Sequence, residues 1–212
     1  MLKSAIFKGL QEDEAKKIIK FLGAKKGKFN TTETIMSYNE NKDMVGILLS
    51  GTADLVTYDY DGNRAILEQY QKDAIFGRVF AAYAGSDEPT LVATSNCLVL
   101  FFSYQKALSQ HLATCENYVV FLANLFSLLT ERLQVQANHI EALSKRSLRG
   151  KLLAYFEIQA KEQQSFSLTL PFSLYALADY LGIDRSAMQR EMKKMREEGL
   201  IASKGRKIQL LY

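Results

Sequence analysis

The sequence predicts an α+β protein with an amino-terminal β-sandwich or jelly roll, one long helix, and a carboxy-terminal winged helix-turn-helix. Three observations carry this expectation. Between Gly27 and Phe102, short apolar segments alternate with turn signals. From Leu122 to Leu143, apolar residues recur at alternating spacings of four and three. From Ser173 to Gly199, two helical patterns flank a glycine, the second is basic on its outer face, and a short basic hairpin follows.

At 212 residues, 48% hydrophobic and 24% charged, the chain has an ordinary globular composition and is long enough for two domains. Nothing reads as a signal peptide, and no apolar run approaches the roughly 20 residues of a membrane span, so the expected location is the cytoplasm, with no membrane partner. Cys97 and Cys115 give neither a disulfide framework nor a metal or iron–sulfur set. They read as reduced packing residues, with a redox role as the other reading. The net charge of +4 is unevenly placed. From Lys145 onward there are 13 Lys and Arg against 7 Asp and Glu, a balance of +6, whereas residues 1–144 carry 14 against 16, a balance of −2. A basic carboxy-terminal third joined to a slightly acidic remainder is the footprint of a nucleic-acid-binding domain attached to a non-binding one.

In chain order, residues 4–22 begin with a short apolar entry and continue as an amphipathic helix whose buried side carries Leu10, Ala15, Ile18, Ile19 and Leu22. Extended segments start at Gly27. Thr34–Met36 reads as a strand and Met44–Leu49 as an apolar run ended by Ser50-Gly51. Ala53–Tyr60 and Ala65–Tyr70 flank Asp61-Gly62-Asn63 as a hairpin, and Leu91–Ala93 and Cys97–Phe102 complete the set. Leu112 to about Ser144 reads as one helix with Leu122, Phe126, Leu129, Leu133, Gln136, Ile140 and Leu143 along a coiled-coil seam. So narrow a seam needs a partner, and a second copy of the chain is the simplest; Gln136 would fix the register. Lys145–Gly150 reads as a hinge. Leu148–Ala160 follows as a helix with Leu152, Tyr155, Phe156 and Ala160 inward, and Phe166–Leu170 is strand-like.

The helix-turn-helix is read from its caps and stripes. Ser173 caps a first helix carrying Leu174, Leu177, Ala178 and Leu181 on one side, and Gly182 ends it. Asp184 caps a second helix whose Met188, Met192 and Met195 form the buried stripe, with Gly199 as the stop. That stripe leaves Ser186, Gln189, Arg190 and Lys193 outward, with Arg185 in the first turn; such side chains read base edges or hold phosphates. Beyond Gly199, strand-like residues flank the basic turn Lys204-Gly205-Arg206-Lys207, a two-stranded wing suited to a phosphate backbone.

The stretch RSAMQREMKKMREEGLI, residues 185–201, followed by a basic wing, resembles the carboxy-terminal domain of the CRP/FNR transcription regulators. The resemblance extends over the preceding chain and includes Arg132-Leu133-Gln134-Val135 in the long helix. It implies a homodimer with a jelly-roll sensor of the cyclic-nucleotide-binding type at residues 1–110, a dimerisation helix at 111–145 and a winged helix-turn-helix at 146–212. The partner implied is double-stranded DNA with a two-fold symmetric site, its half-sites roughly 34 Å apart. The family's recognition-helix positions fall on Arg185, Ser186 and Arg190. Arg185 and Arg190 would be base readers, Ser186 and Gln189 secondary, and Lys193, Lys204, Arg206 and Lys207 phosphate contacts. The middle position lacks the family's Glu, so the half-site need not be the commonest one. RNA polymerase is a further partner the resemblance admits.

In cyclic-nucleotide-binding members, a short helix within the sensor holds the phosphate with backbone amides, a Glu and an Arg. The candidate effector pocket here comprises Gly77, Arg78, Val79, Glu88 and Thr90, with Gln136 from the long helix. Aligned on Gly77, the ribose-binding Glu is Arg78, the phosphate-binding Arg is Glu88 and the Ser after it is Pro89. The Gly-Asp pair before the segment becomes Asp73-Ala74, and the Thr-Ser pair of the dimer helix becomes Gln136-Ala137. An acid where the phosphate would sit repels it, so any small-molecule effector is expected to be something other than cyclic AMP. Arg78 and Glu88 also read as solvated or mutually paired. His111 and His139, the two histidines, read as surface or packing residues, with a haem ligand as the competing reading, and no cofactor is expected. Two other function classes compete. One is a small-barrel enzyme, which needs His and carboxylate ligands although residues 27–104 hold no histidine; the other is a ligand-binding module acting through protein contacts.

Overall fold

The computed structural model describes residues 4–38, 43–77, 79, 89–109 and 117–212. The chain divides into two compact units, one of Met1–Asn63 and Leu67–Leu133, the other of Arg64–Ile66 and Gln134–Tyr212. The first unit opens with a 3-10 turn, Ala5–Phe7, and helix α1, Glu12–Leu22. Gln11 starts α1 with a capping box, its amide donating to the Glu14 carboxylate at 2.7 Å. Ala15, Ile18 and Leu22 are buried, while Leu10 and Ile19, also expected inward, are half-buried.

Among the described residues eight strands follow: β1 Lys25–Phe29, β2 Thr34–Ser37, β3 Met44–Ser50, β4 Ala53–Tyr58, β5 Arg64–Tyr70, β6 Ile75–Phe76, β7 Thr90–Ala93 and β8 Cys97–Ser103. They form two sheets, ordered β1-β8-β3-β6 and β2-β7-β4-β5. One core lies between the sheets, where Leu48, Phe76 and Val99 meet Ile35, Leu55 and Leu91. A second lies on the outer face of the first sheet, where Val45, Ile47, Leu49, Leu100 and Phe102 are covered by Ile18 and Leu22 of α1 and by Phe121, Leu125 and Leu128. Burial on both faces is why β3 reads as an unbroken apolar run instead of alternating. Gly46 interrupts it for space, because a Cβ there would lie 2.2 Å from the Phe76 ring.

After a short helix α2, Tyr104–Ala107, helix α3 runs Tyr118–Leu143, its residues divided between the two units at Leu133. The second unit adds α4 Leu148–Glu162, β9 Ser167–Thr169, α5 Leu174–Leu181, α6 Arg185–Glu197, β10 Ile201–Lys204 and β11 Lys207–Leu210. Ser147, Ser173 and Asp184 cap α4, α5 and α6, each side chain accepting from the amide three residues on. The expected two-stranded wing is three-stranded, in the order β10-β11-β9. β9 joins because Leu168, buried between exposed Ser167 and Thr169, needs a sheet face and finds it opposite Ile208 of β11. Leu152, Phe156, Leu177, Ala178, Leu181, Met188, Met192 and Met195 make the buried core of this unit. The architecture is the α+β fold expected, a β-sandwich, a long helix and a winged helix-turn-helix.

Candidate nucleic-acid interface and sensor core

α5 and α6 are joined so that α6 turns one face outward. Gly182 ends α5 in the left-handed conformation, φ 59° and ψ 47°, which only glycine adopts without strain. Two residues later the Asp184 carboxylate accepts from the Ser186 hydroxyl at 2.6 Å and the Ala187 amide at 2.7 Å. These bonds, the one from Ser186 foremost, hold its carboxyl below the usual range. Met188, Met192 and Met195 face the core, and Ser186, Gln189, Arg190 and Lys193 are exposed on the other side. Arg190 Nη1 donates to Ser186 Oγ at 3.2 Å, and Lys193 Nζ lies 3.8 Å from Glu197 Oε1. Both contacts are solvent-exposed, so a phosphate or base edge can replace them.

Arg185 is held more firmly. Its Nε donates to Asp179 Oδ1 at 3.1 Å, and its Nη2 lies 2.9 Å from each Asp179 oxygen. Its guanidinium carbon lies 5.7 Å from the centre of the Tyr175 ring. Asp179 Oδ2 also receives Arg64 Nη1, of the same unit, at 3.5 Å. In the wing, Lys204, Arg206 and Lys207 are exposed around a two-residue loop of Gly205 and Arg206, and Arg206 Nη1 donates to the Pro171 carbonyl at 3.4 Å. The structure therefore leaves all eight candidate DNA-binding side chains at the surface of the second unit.

Sequence reasoning missed the brace behind this surface. Arg149 of α4 donates through Nε to Glu191 at 2.5 Å and through Nη1 and Nη2 to Glu198 at 2.6 and 2.9 Å. α6 is thus tied to α4 at its middle and just past its end. The hydrogen bonds to Glu198, then Glu191, hold the Arg149 pKa above its ordinary value, and Arg149 holds that of Glu198 below. Only the opposite charges were visible in the sequence, forty-odd residues apart.

The first unit holds a buried polar cluster that the sequence did not point to. Arg132 of α3 donates through Nε and Nη2 to the two Glu68 oxygens at 2.9 and 2.7 Å, with both side chains under a tenth exposed. The Tyr70 hydroxyl donates to Glu68 Oε2 at 2.8 Å, and the Tyr38 hydroxyl lies 3.5 Å from that of Tyr70. Burial is the largest single influence and works against the charged guanidinium, but the Glu68 hydrogen bonds together with the electrostatics of Tyr70, Glu68 and Tyr38 outweigh it, so the Arg132 pKa is raised. Burial also pushes the Tyr38 hydroxyl up, and that of Tyr70 well above its ordinary value.

Of the candidate effector residues, Gly77 lies close enough to this cluster for its backbone to offset a small part of the burial that raises the Tyr38 hydroxyl. Its φ is 149°, and a Cβ would lie 2.6 Å from the Met44 carbonyl oxygen. Thr90 opens β7 opposite Ser37, and the Tyr38 amide donates to the Pro89 carbonyl at 3.3 Å, so both flank the same tyrosine. Val79 is partly exposed, and Gln136 is half-buried in the part of α3 belonging to the second unit. Arg78, Glu88, His111 and Cys115 lie outside the described residues. His139 stacks on Tyr180 at 3.7 Å and 9°, with Nε2 at 2.7 Å from the Tyr180 carbonyl oxygen, which is packing. Cys97 is buried, its Sγ 3.1 Å from the Thr52 carbonyl oxygen, and burial raises its thiol pKa. Among the described residues no group of three His, Cys, Asp or Glu could hold a metal, and no helix is long and apolar enough to cross a membrane.

Comparison with known proteins agrees with this geometry. Residues 26–112 match the model of the cyclic nucleotide-binding domain, and residues 150–212 match that of the Crp-like helix-turn-helix domain. No curated protein sequence matches significantly. Among solved structures, a CooA mutant from Carboxydothermus hydrogenoformans is similar over 100% of this chain and 89% of its own, with 14% identity and a TM-score of 0.72. The c-di-GMP responsive global regulator CLP of Xanthomonas campestris is similar over 93% of this chain and 99% of its own, with 18% identity and a TM-score of 0.69. FixK2 from Bradyrhizobium japonicum is similar over 89% and 93%, with 18% identity and a TM-score of 0.65. At these identities the structures speak for the fold alone, whereas the two domain models, in this order on one chain, speak for ancestry. Members of that ancestry are regulators and not enzymes, which sets the small-barrel enzyme reading aside. A sandwich, a seamed helix and an outward basic α6 thus meet in one lineage, and the chain belongs to the CRP/FNR family of DNA-binding transcription regulators.

Proposed function

We propose that the protein is a homodimeric, sequence-specific regulator whose paired α6 helices enter the major groove at two half-sites of a symmetric operator. One observation carries the reading: α6 buries its whole methionine stripe and exposes Ser186, Gln189, Arg190 and Lys193 on the opposite face, beside the cationic wing. Arg185 and Arg190 read bases, Ser186 and Gln189 assist, and Lys193, Lys204, Arg206 and Lys207 hold phosphates. The division into a sensor at 1–110, a dimerisation helix at 111–145 and a DNA-binding domain at 146–212 belongs to the same proposal. Support for the dimer comes from the α3 seam, where Phe126, Leu133 and Ile140 are 68%, 66% and 66% exposed in the single chain. Three large apolar side chains on one stripe are an interface awaiting its partner.

The sensor responds to an effector other than cyclic AMP. Arg78, Glu88 and Pro89 stand where a cyclic nucleotide needs Glu, Arg and Ser. In addition, Glu68 already takes two donors of Arg132, so an anion arriving there would have to displace a buried carboxylate. The effector acts by shifting α3 between two arrangements, one of which spaces the recognition helices for DNA. The test is retention of sheared genomic DNA by the purified protein at physiological salt, followed by sequencing. Enrichment of two-fold symmetric sites, lost steeply as salt rises, is expected. Retention without sequence preference, with and without cell extract, would refute it, and a salt-independent activity through a protein partner would favour the ligand-binding module instead.

A further inference from the structure

We infer that Asp179 is a positioning residue for base recognition, aiming the free end of the Arg185 guanidinium at a guanine. The inference rests on the reading of Arg185 as a base contact and adds how that contact is specified. An arginine carries five N–H donors in a planar fork. Asp179 uses one edge of that fork, the Nε and Nη2 side, at 2.9 to 3.1 Å. The end formed by Nη1 and the second Nη2 hydrogen is left over, and its two parallel N–H groups match O6 and N7 of guanine.

Three features make Asp179 suited to this. Its side chain is 8% exposed while that of Arg185 is 53% exposed, so the acid is fixed by its surroundings and the base is presented to solvent. It lies on α5, whose Ser173 cap and Gly182 stop hold it, across the turn from the first residue of α6. Tyr175, one turn earlier on α5, brings its ring to the same guanidinium. The two α5 side chains thus restrict a long flexible residue before DNA arrives, lowering the entropy lost on binding. A neutral carboxamide at 179 keeps the shape and loses the charge-assisted bonds.

The experiment is base preference measured position by position with a randomised operator library, on the full chain, for Asp179→Asn, Asp179→Glu, Arg185→Ala and the Asp179→Asn/Arg185→Ala pair. Arg185→Ala is expected to reduce the preference for one guanine per half-site by about 5- to 150-fold, the range of one bidentate contact. Asp179→Asn is expected to reduce preference at that same base pair several-fold, leaving other positions and affinity for random DNA unchanged, and to add nothing in the Arg185→Ala background. Asp179→Glu, which keeps the charge and shifts it by one methylene, should fall between, and serves if the Asn variant folds poorly. Unchanged guanine preference in Asp179→Asn, beside a loss in Arg185→Ala, overturns the positioning role, as does tighter binding of all sequences by Asp179→Asn, the mark of a sequestering acid. Unchanged preference in Arg185→Ala overturns the underlying base contact itself.

Discussion

Removing one member of the Glu68–Arg132 pair should damage the first unit far more than removing both. Glu68→Gln leaves the guanidinium of Arg132 in a site where the two side chains are 9% and 8% exposed, so solvent cannot screen it. Stranding one charge of a buried pair costs about 3–5 kcal/mol, against a domain stability of about 5–15 kcal/mol. For a chain of this size each kcal/mol moves the melting midpoint by about 2–4 °C, so a drop of roughly 6–20 °C is expected. The paired replacement Glu68→Leu with Arg132→Met removes both charges and fills the space with apolar atoms, and should fall near the parent or above it. The Tyr70 hydroxyl, which donates to Glu68, loses its acceptor in the double variant, so adding Tyr70→Phe should recover part of any remaining deficit. Calorimetry of the parent, of Glu68→Leu and Arg132→Met singly and of the pair, with denaturant midpoints as a second measure, supplies the cycle. Single replacements within about 1 kcal/mol of the parent, or a double as costly as the singles together, would refute the view that the pair is a coupled, desolvated clamp.

Leu133→Asp places a charge on the exposed seam of α3 and should leave the subunit folded but monomeric by sedimentation at micromolar concentration, since each seam side chain of this kind contributes about 1.5–3 kcal/mol on burial and the variant loses it on both subunits. A stable Leu133→Asp dimer would move the interface elsewhere. Arg190→Ala should relax preference at one base pair, whereas Lys204→Ala should weaken all sequences alike and reduce the salt slope by about 1; equal losses on operator and random DNA for Arg190→Ala would contradict the assignment. Alkaline pH should unfold the protein through its buried tyrosines. Burial raises Tyr38, Tyr70 and Tyr155 above the ordinary 10.0, so the folded state favours their neutral form, and that stability is complete below pH 10 and is lost as pH climbs above it. Ultraviolet titration of the 11 tyrosines should show a lagging group that ionises together with unfolding, and Tyr70→Phe should reduce the steepness of that transition.

What the sequence disclosed follows the range of the interactions concerned. The caps Ser173 and Asp184, the stop at Gly182 and the methionine stripe of α6 are local, written within one or two helical turns, and each lies where the pattern put it. The β4–β5 turn was likewise readable, because Asp59 accepts from the amides of Asp61 and Asn63 within its own loop. β1 was partly hidden, since Lys25, Lys26 and Lys28 give it no apolar signature, and it is a strand because it pairs with β8, Gly27 opposite Val99. β6 has two residues and exists through Gly46 and Ile47 of β3. β9 became part of the wing through Leu168 alone. The polar contacts obey the same rule. Glu68 and Arg132 are 64 residues apart and Arg149 and Glu191 42, and no periodicity relates such positions. Asp179 and Arg185 are six apart, and a helix-turn-helix geometry imposed on the sequence would have brought them together.

α3 carries two stripes, and their offset is what makes the Glu68–Arg132 pair more than a stabilising contact. Phe121, Leu125, Leu128 and Arg132 face inward in the first unit, and Leu122, Phe126, Leu129 and Leu133 follow one residue behind. One residue is about 100° of helix rotation, so the sandwich takes one face of the cylinder and the proposed dimer would take the adjacent one. Arg132 is the last member of the inward stripe in that unit; the seam pattern goes on through Gln136 and Ile140. In the proposed dimer, a change that weakens the inward hold would act on the rotation of the seam, while the buried methionines and the Arg149 brace tie the helix-turn-helix together. If α3 is the two-state element, Glu68→Gln should alter operator affinity without altering base preference, and Asp179→Asn should do the reverse. A rotation that moved both quantities together would mean that the sensor acts inside the recognition helix and not on the spacing of two rigid ones.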